Sequence, residues 1–423
     1  MDKIALKNLD FDIYTETLNN GLNIFFIPYS NKKNYFITYA TYFGSDILEY
    51  RDSYDIKQKH PLGIAHFLEH KMFETESGID PFTYFSKSGT DSNASTSYTN
   101  TQYLCSGTKN FKNNLKYLIE FVNSPYFTKE NVEKEKSIIA EEIKMYEDMP
   151  DYKLEMALRQ LLYKYSPRKL DIAGSIEEIN KIKKDDLYNC YNNFYVPNNM
   201  FIIVAGNFDL DEALNTIKEE LEMIPSKELP EIIEKEEPNE VYKKKKIINT
   251  NIEVPKIALG LKIPTKELKY EKIELDLYLN MLSNMLFGSS SLFREKVRNL
   301  KLLNDFYYEW ESIKNFKTLY IMASSQDPDA LLKEIIEELN NLKLEEKTFE
   351  RIKKVWIANE VKMIDNMDST VSNTFSDIID YRRVIPNKVE IIRNMNINTL
   401  KSIVKKIDFK NISTVKMLKE NKD

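Results

Sequence analysis

The chain has 423 residues, of which 42% are hydrophobic and 12% are aromatic. This length is too great for one ordinary hydrophobic core and predicts two or more domains, for which the apolar content is ample. The formal net charge is −6, from 60 basic and 66 acidic residues, and such a mixed surface favours neither nucleic acid nor an anionic membrane as a partner.

The N-terminal stretch MDKIALKNLDFDIY has charges spaced through it and lacks the apolar segment of a secretory signal. No apolar run approaches the length of a membrane-spanning helix, about 18 residues. Cys105 and Cys190 are the only cysteines, too few for a disulfide framework or for a zinc site built from four cysteines. We therefore expect a cytoplasmic protein that does not cross a membrane.

Strand patterns open the chain and lead to a short helix. Asn20-Gly21 lies between apolar runs and predicts a β-hairpin, and β-branched and aromatic residues predict a further strand over 35–43. The stretch LGIAHFLEHKMFE, residues 62–74, then contains two of the three histidines, four residues apart. The third, His60, precedes Pro61, which disfavours helix, so we place it in a loop outside this motif.

The pattern at 62–74 is typical of a metal site. In a helix, His66 and His70 lie on one face, where two neutral imidazoles make half of a tetrahedral zinc site. Glu69 projects beside them and could polarise a water molecule there. The order His-x-x-Glu-His is the inverzincin pattern. The alternative is an ordinary amphipathic helix with two histidines on its polar face.

Helices and strands then alternate to residue 222. Ser/Thr and aromatic residues at 89–107 predict a strand pair with one exposed edge, and Thr128 is a plausible N-cap for a helix that runs to Pro150. The other elements expected here are helices at 81–88, from 111 to before Pro125, and at about 152–165, 183–194 and 210–222, and a buried strand at 200–205.

A linker is predicted at 225–247, where three prolines, an acidic run and Lys243–Lys246 show no core-forming periodicity. The second half repeats the element order of the first, without a histidine. Its expected elements are the strand IALGLKIP, a helix at 271–287, the strand pair FYYEW and KTLYIMASS, helices at about 329–341, 347–365 and 368–381, and a final strand, NISTVKML. We predict an α+β fold of two structurally related domains, 1–224 and 248–423, each a mostly antiparallel sheet packed with helices.

A catalytic zinc ion normally has three protein ligands and one open position. Because the chain has few cysteines and no further suitable histidine, the third ligand should be a carboxylate. The acidic helix at 129–148 offers many. Glu135 and Glu142 share a face, whereas Glu141 lies about 100° round the helix from Glu142. The neighbouring buried side, which would carry Glu142 inward, is predicted to consist of Ile138, Ile139 and Ile143.

HFLEH at 66–70, followed by EKSIIAEE at 135–142, resembles the pitrilysin and insulinase family of zinc peptidases, which includes the mitochondrial processing peptidase. The resemblance implies that Glu142 is the third zinc ligand and that Glu135 supports the site. GTDSNASTSYTNTQY, residues 89–103, is similar to the family segment on which substrate is laid as an added strand. Asn93, Ala94 and Ser95 would then bind the peptide backbone; a plain hairpin is the alternative.

One departure from the family pattern lies in the second half. Active relatives carry an Arg and a Tyr there that hold the substrate carbonyl, but the usual Gly-Leu-x-Tyr spacing is lost in SSSLFREKVRNLKLLNDFYYEW. Arg294 or Arg298 and Tyr307 or Tyr308 are available, and Arg298 and Tyr307 are our candidates. A partner chain could supply the pair instead, and all four residues could have ordinary surface or core roles.

The resemblance implies a zinc metalloendopeptidase that cleaves short or unfolded peptides, with one zinc ion per chain and Glu69 as general base. It is closest to half-size bacterial members that work as pairs. We therefore expect half of a clamshell, in a homodimer or in a heterodimer with a paralogous chain that has or lacks the zinc motif. The alternatives are a catalytically silent peptide-binding subunit and a structural zinc site. Peptide maturation and general peptide turnover are equally open.

Overall fold

The computed structural model describes residues 1–6 and 11–420, so residues 7–10 of the N-terminal stretch and the last three residues lie outside the described part. The strands are β1 (Asp2–Leu6), β2 (Phe11–Thr17), β3 (Asn23–Pro28), β4 (Tyr35–Thr41), β5 (Glu49–Arg51), β6 (Lys57–Lys59), β7 (Asp91–Thr96), β8 (Thr101–Gly107), β9 (Met200–Gly206), β10 (Glu231–Ile232), β11 (Lys245–Thr250), β12 (Lys256–Pro264), β13 (Asp305–Ile313), β14 (Phe316–Ser324) and β15 (Ile412–Lys419). The helices are α1 (Ile64–Met72), α2 (Pro81–Lys87), α3 (Phe111–Val122), α4 (Lys129–Glu147), α5 (Pro150–Leu162), α6 (Ile176–Ile179), α7 (Lys184–Phe194), α8 (Leu210–Leu221), α9 (Lys272–Phe287), α10 (Leu292–Asn299), α11 (Pro328–Asn340), α12 (Glu346–Ile364), α13 (Met367–Tyr381), α14 (Lys388–Asn394) and α15 (Ile397–Val404).

The chain folds into two compact units whose segments interleave. Unit 1 comprises residues 1–145, 171–234 and 361–387, and unit 2 comprises the remaining segments, 146–170, 235–360 and 388–423. These units differ from the contiguous domains 1–224 and 248–423 expected from the sequence. The α+β fold class itself is confirmed, with sheets and helices in both units.

Two segments account for the difference from the expected domains: residues 146–170 belong to unit 2, and residues 361–387 belong to unit 1. In unit 2, Leu158 and Leu162 of α5 share a hydrophobic cluster with Val415 of β15. In unit 1, Phe375 of α13 contacts Phe201 of β9, with ring centroids 5.6 Å apart. Each contact joins parts of the chain well over 100 residues apart, which the local spacing of apolar residues cannot reveal.

The sheet of unit 1 has the order β1-β2-β3-β9-β4-β8-β7. β2 and β3 form the expected hairpin, with Gly21 at φ +86° between them, and β3 pairs with β9 in parallel. β9 is buried throughout because its alternate side chains enter two different hydrophobic clusters, one on each face of the sheet. β7 lies at one end of this sheet, so its outer edge is available for pairing.

The sheet of unit 2 has the order β11-β15-β12-β14-β13 and is antiparallel except for the β11–β15 pair. The expected pair β13–β14 is present. The segment predicted to be a linker, residues 225–247, contains β10 and the start of β11 at Lys245, and its Glu237 contacts the buried Lys262 at 2.9 Å. The strands in this segment are ordered by pairing with strands elsewhere in the chain, β10 with β5 and β11 with β15. In the described residues, no helix is long and apolar enough to cross a membrane.

Candidate metal centre

The histidine-bearing helix α1 begins at a close contact between two backbone segments. Gly63, just before the helix, has φ +85°, and a Cβ atom placed there would lie 2.2 Å from the carbonyl oxygen of Ala173. Gly174 is equally crowded, because a Cβ atom there would lie 2.6 Å from the Leu62 carbonyl oxygen. Only glycine has neither the Cβ atom nor the penalty for positive φ. The start of α1 is therefore fixed in position by its surroundings.

His66, His70 and Glu142 are brought together by α1 and α4. One potential ligand atom from each lies within 4.8 Å of the other two. Oε2 of Glu142 is 3.7 Å from Nε2 of His66 and 3.5 Å from Nε2 of His70. Ligand atoms bound tetrahedrally at about 2.1 Å are separated by about 3.4 Å, so the donor types and the spacing both fit zinc.

A second carboxylate orients His70. Nδ1 of His70 lies 3.0 Å from Oε1 of Glu135, so the Nδ1–H group donates to this carboxylate and Nε2 faces Glu142. Nζ of Lys71 lies 3.4 Å from the other oxygen of Glu135 and 2.7 Å from Glu74. Glu135 therefore contacts a ligand candidate without being one of the three converging groups.

Glu69 lies beside this cluster and is held by the end of β7. The hydroxyl of Thr96 donates to Oε2 of Glu69 at 2.7 Å. Burial raises the pKa of Glu69, and the hydrogen bond from Thr96 opposes this shift without cancelling it. A nearly buried carboxylate with a raised pKa, next to a possible metal site, is the environment of a general base.

The histidines differ in their acid–base properties. Burial, followed by the proximity of His70, lowers the pKa of His66 to about 3, so His66 is neutral at pH 7 and has a lone pair for a metal. Burial has the largest single effect on His70 and acts to lower its pKa, but the hydrogen bond to Glu135 and the charges of the neighbouring glutamates together outweigh it, so the pKa is raised. Burial opposes ionisation of Glu135, yet His70 and Lys71 lower its pKa.

α4 presents Glu142 at the boundary between its buried and exposed sides. Ile139 and Ile143 are buried as expected, whereas the expectation for Ile138 is wrong, since 48% of it is exposed. Residues advance by about 100° along a helix, so Ile138 and Ile139 lie on opposite sides of the direction in which Glu142 points. The carboxylate of Glu142 thus borders the core and remains accessible.

The three candidate substrate-binding residues lie on β7, the strand that ends at Thr96. Asn93 and Ser95 are exposed, and Ala94 faces inward and packs against the main cluster of unit 1. The side-chain oxygen of Asn93 accepts a hydrogen bond from the Ala94 backbone at 2.9 Å. β7 is thus an edge strand whose end is hydrogen-bonded to Glu69.

Arg298 and Tyr307 both belong to unit 2. Arg298 is exposed on α10, and Tyr307 is half exposed on β13, where its hydroxyl donates to Glu309. The alternative Arg294 lies with its guanidinium 4.7 Å from the ring centre of Phe306. Burial, followed by the charge of Arg298, lowers the pKa of Arg294. The cluster of His66, His70 and Glu142 belongs to unit 1.

Thr96 and Lys71 are two contact residues to which the sequence analysis gave no role. The sequence does contain a signal that Lys71 is buried, since this residue lies four positions after Phe67 and therefore on the apolar side of the helix. A lysine on that side must find a partner when buried. Thr96 is part of the segment similar to the family strand, but its bond to Glu69 depends on how β7 approaches α1.

Two family models match the chain. Residues 57–175 match the model described as insulinase, peptidase family M16, and residues 181–355 match the peptidase M16 inactive domain. An uncharacterized zinc protease of Bacillus subtilis (strain 168), YmfH, is 37% identical over 337 residues, which cover 78% of each chain. The chain belongs to the insulinase family, peptidase family M16. The resemblance noted from its motifs is confirmed.

A solved structure and a further relative complete the comparison. The crystal structure of a putative M16-like peptidase from Alicyclobacillus acidocaldarius matches with a TM-score of 0.91 and 29% identity, covering 98% of this chain and 100% of that one. This M16 family chain therefore has the half-size architecture of that protein. A Helicobacter pylori protein named a non-peptidase homolog, YmxG, is 22% identical over 292 residues, 66% of each chain. The family thus includes proteins named as proteases and as non-peptidases.

Proposed function

We propose that the chain is a zinc metalloendopeptidase that cleaves short or unfolded peptides. The observation that carries this proposal is the convergence of His66, His70 and Glu142, with the buried carboxylate of Glu69 beside them. Two imidazoles and one carboxylate are a typical ligand set for catalytic zinc, which keeps a position open. The zinc-protease name of the Bacillus subtilis relative supports the same choice of metal.

When bound there, zinc supplies the Lewis acidity that polarises a peptide carbonyl and makes a water molecule acidic near neutral pH. Glu69 accepts the proton of the attacking water on its carboxylate and passes it to the leaving amine. Thr96 holds Oε2 of Glu69 through a 2.7 Å hydrogen bond. Glu135 holds His70 through Nδ1, so that Nε2 faces Glu142.

The substrate peptide is proposed to add as a strand to the outer edge of β7. Asn93, Ala94 and Ser95 lie on this strand, one to three residues before Thr96. Backbone hydrogen bonds to an edge strand bind peptides of many sequences, provided that they are extended. A folded protein offers few such segments, which is why short or unfolded peptides are the proposed substrates.

The donor to the developing oxyanion is assigned to Arg298 and Tyr307, or to a second chain. For this half-size family member we propose a homodimer, or a heterodimer with a paralogous chain, in the cytoplasm. The second candidate function is a catalytically silent peptide-binding subunit. The engagement of the Tyr307 hydroxyl by Glu309 and the non-peptidase relative favour this alternative.

The test is zinc content and cleavage of a quenched peptide library by the purified chain, compared with Glu69→Gln. We expect about one zinc ion per chain in both, and cleavage at least 100-fold slower in the variant, because a general base contributes about 10²–10⁴-fold. The matched control is Glu76→Gln, because Glu76 is an exposed glutamate shortly after the end of the helix that carries Glu69; this variant should cleave peptides at the normal rate. Zinc without cleavage in the unmutated chain would favour the silent subunit, and absence of zinc would refute the proposal.

A further inference from the structure

Lys71 is a charged side chain in the core, directly after His70. It is 0% exposed, although lysine is among the residues least often buried. Removing an ammonium group from water is costly unless the charge is paired. Its described partners are Glu74 at 2.7 Å and Glu135 at 3.4 Å. A lysine retained at such a position, beside a possible metal ligand, calls for an explanation in terms of its partners.

Glu135 and Glu142 stand on one face of α4, seven residues and therefore about 20° apart. Both carboxylates approach the same imidazole: Glu135 lies 3.0 Å from Nδ1 of His70, and Glu142 lies 3.5 Å from Nε2. Either carboxylate has the chemistry of a zinc ligand. Helix geometry alone does not decide which of the two binds the metal.

The donors around Glu135 distinguish the two carboxylates. One oxygen of Glu135 accepts from Nδ1 of His70, and the other faces Nζ of Lys71. Oε2 of Glu142 instead faces the Nε2 atoms of both histidines, where a cation would lie between them. Glu135 is thus occupied on both oxygens by positively polarised groups of α1.

We infer that Lys71 is a positioning residue that restrains Glu135 as the hydrogen-bond acceptor of His70 and so reserves the metal for Glu142. This inference rests on the proposed zinc site. Without the ammonium group, Glu135 keeps one donor and can rotate about its side-chain bonds. His70 then loses the fixed orientation of Nε2, and Glu135 becomes free to compete with Glu142 for the metal. Partners of this kind typically contribute about 10–100-fold to metal affinity.

The test is zinc affinity, measured by competition with a chromophoric chelator in the absence of peptide. Lys71→Met replaces the charged side chain by an apolar one of similar length, and we expect about 10–100-fold weaker zinc binding. If Lys71 acts through Glu135, Lys71→Met combined with Glu135→Gln should bind no more weakly than Glu135→Gln alone. Lys144→Met, an exposed lysine of α4 paired with Glu141, is the matched control and should bind as the unmutated chain.

Visible absorption of the cobalt-substituted protein supplies a second readout. We expect Lys71→Met to change the ligand-field bands, because the orientation or identity of the ligands changes, whereas Lys144→Met leaves them unchanged. Circular dichroism checks that each variant is folded. If Lys71→Met does not fold, Lys71→Gln, which keeps an N–H donor without the charge, replaces it in the same comparisons.

Unchanged zinc affinity in a folded Lys71 variant would overturn the inference. It would also be overturned if the loss of zinc affinity in the double variant equalled the sum of the losses in the two single variants. These outcomes are separable from failure of the proposed activity. A chain that binds zinc tightly but cleaves nothing fails as a peptidase, and the affinity comparisons still decide the role of Lys71. A chain that binds no zinc would overturn both proposals.

Discussion

The hydrogen bond between Thr96 and Glu69 joins the proposed general base to the proposed substrate strand. Thr96 ends β7, and Glu69 belongs to α1, so one 2.7 Å contact couples the two elements. A carboxylate that must transfer a proton to and from a bound peptide needs a fixed orientation. Thr96 provides this orientation from the same strand that is proposed to bind the peptide.

Replacing Thr96 by Val should slow peptide cleavage without removing zinc. Valine has nearly the same shape but no hydroxyl, and losing a hydrogen bond to a charged group costs about 1.5–3 kcal/mol. If about half of this is lost in the transition state, kcat falls by about 3- to 12-fold. Single-turnover cleavage and metal analysis measure the two effects, with the exposed Thr99→Val as control. A kcat equal to that of the unmutated chain would show that Thr96 does not position Glu69.

At the scale of elements, the position of α1 depends on two glycines at its start. Gly63 and Gly174 approach each other's segments so closely that neither has space for a Cβ atom. The helix is too short to be stable by itself, so its position must come from packing. Its buried side packs in the main cluster of unit 1, while His66 and His70 face α4.

Gly63→Ala should therefore destabilise the chain far more than Gly78→Ala. Both glycines have positive φ, but nothing lies within 4 Å of a Cβ atom at Gly78, whereas one at Gly63 meets a backbone carbonyl at 2.2 Å. We expect about 1–2 kcal/mol for Gly78→Ala from the left-handed backbone alone. Gly63→Ala should exceed this by 2 kcal/mol or more, roughly the cost of overpacking, and should weaken zinc binding. Urea unfolding measures the free energy of unfolding of the two variants, and equal losses of stability in Gly63→Ala and Gly78→Ala would contradict this account.

At the scale of the whole molecule, buried ion pairs incorporate distant segments into unit 2. Glu311 of β13 accepts hydrogen bonds from Arg159 of α5 at 2.9 Å and from Arg168 at 2.6 Å. Burial opposes ionisation of Glu311, but Arg168 and Arg159 lower its pKa. This contact attaches segment 146–170 to a strand about 150 residues later, and so contributes to the interleaved arrangement of the units.

Glu311→Gln should destabilise unit 2 at neutral pH by about 3–5 kcal/mol, because it leaves buried guanidinium charges without their carboxylate. The pKa of Glu311 is lower in the folded than in the unfolded chain, so its contribution is present above the unfolded value of about 4.3 and is lost as pH falls through the folded value. Urea unfolding of both proteins from pH 7 to pH 3 should show their difference shrinking with acid. Glu309→Gln, exposed on the same strand, is the control. A difference independent of pH would contradict the assignment.

The features predicted from the sequence are those set by short-range periodicity. The spacing of His66 and His70 places both imidazoles on one face of a helix, and the spacing of Glu135 and Glu142 does the same on α4. The Asn20-Gly21 turn requires a hairpin because its backbone angles suit few other residues. Such features depend only on residues that are close together in the sequence, so they do not depend on how distant segments pack.

Other features depended on contacts between distant segments. Ile138 is exposed because of how α4 packs, although the apolar spacing of that helix predicted it to face inward. Lys71 lies on the apolar side of α1, but its contact with Glu135 exists only because α4 approaches that side. Residues 245–250 form a strand only because β15 pairs with them. The interleaved units have the same cause. The helices and the candidate metal-binding face thus follow from local sequence. The different contacts of Glu135 and Glu142 and the boundaries of the units arise from long-range packing, since burial and charge pairing exist only once the segments meet.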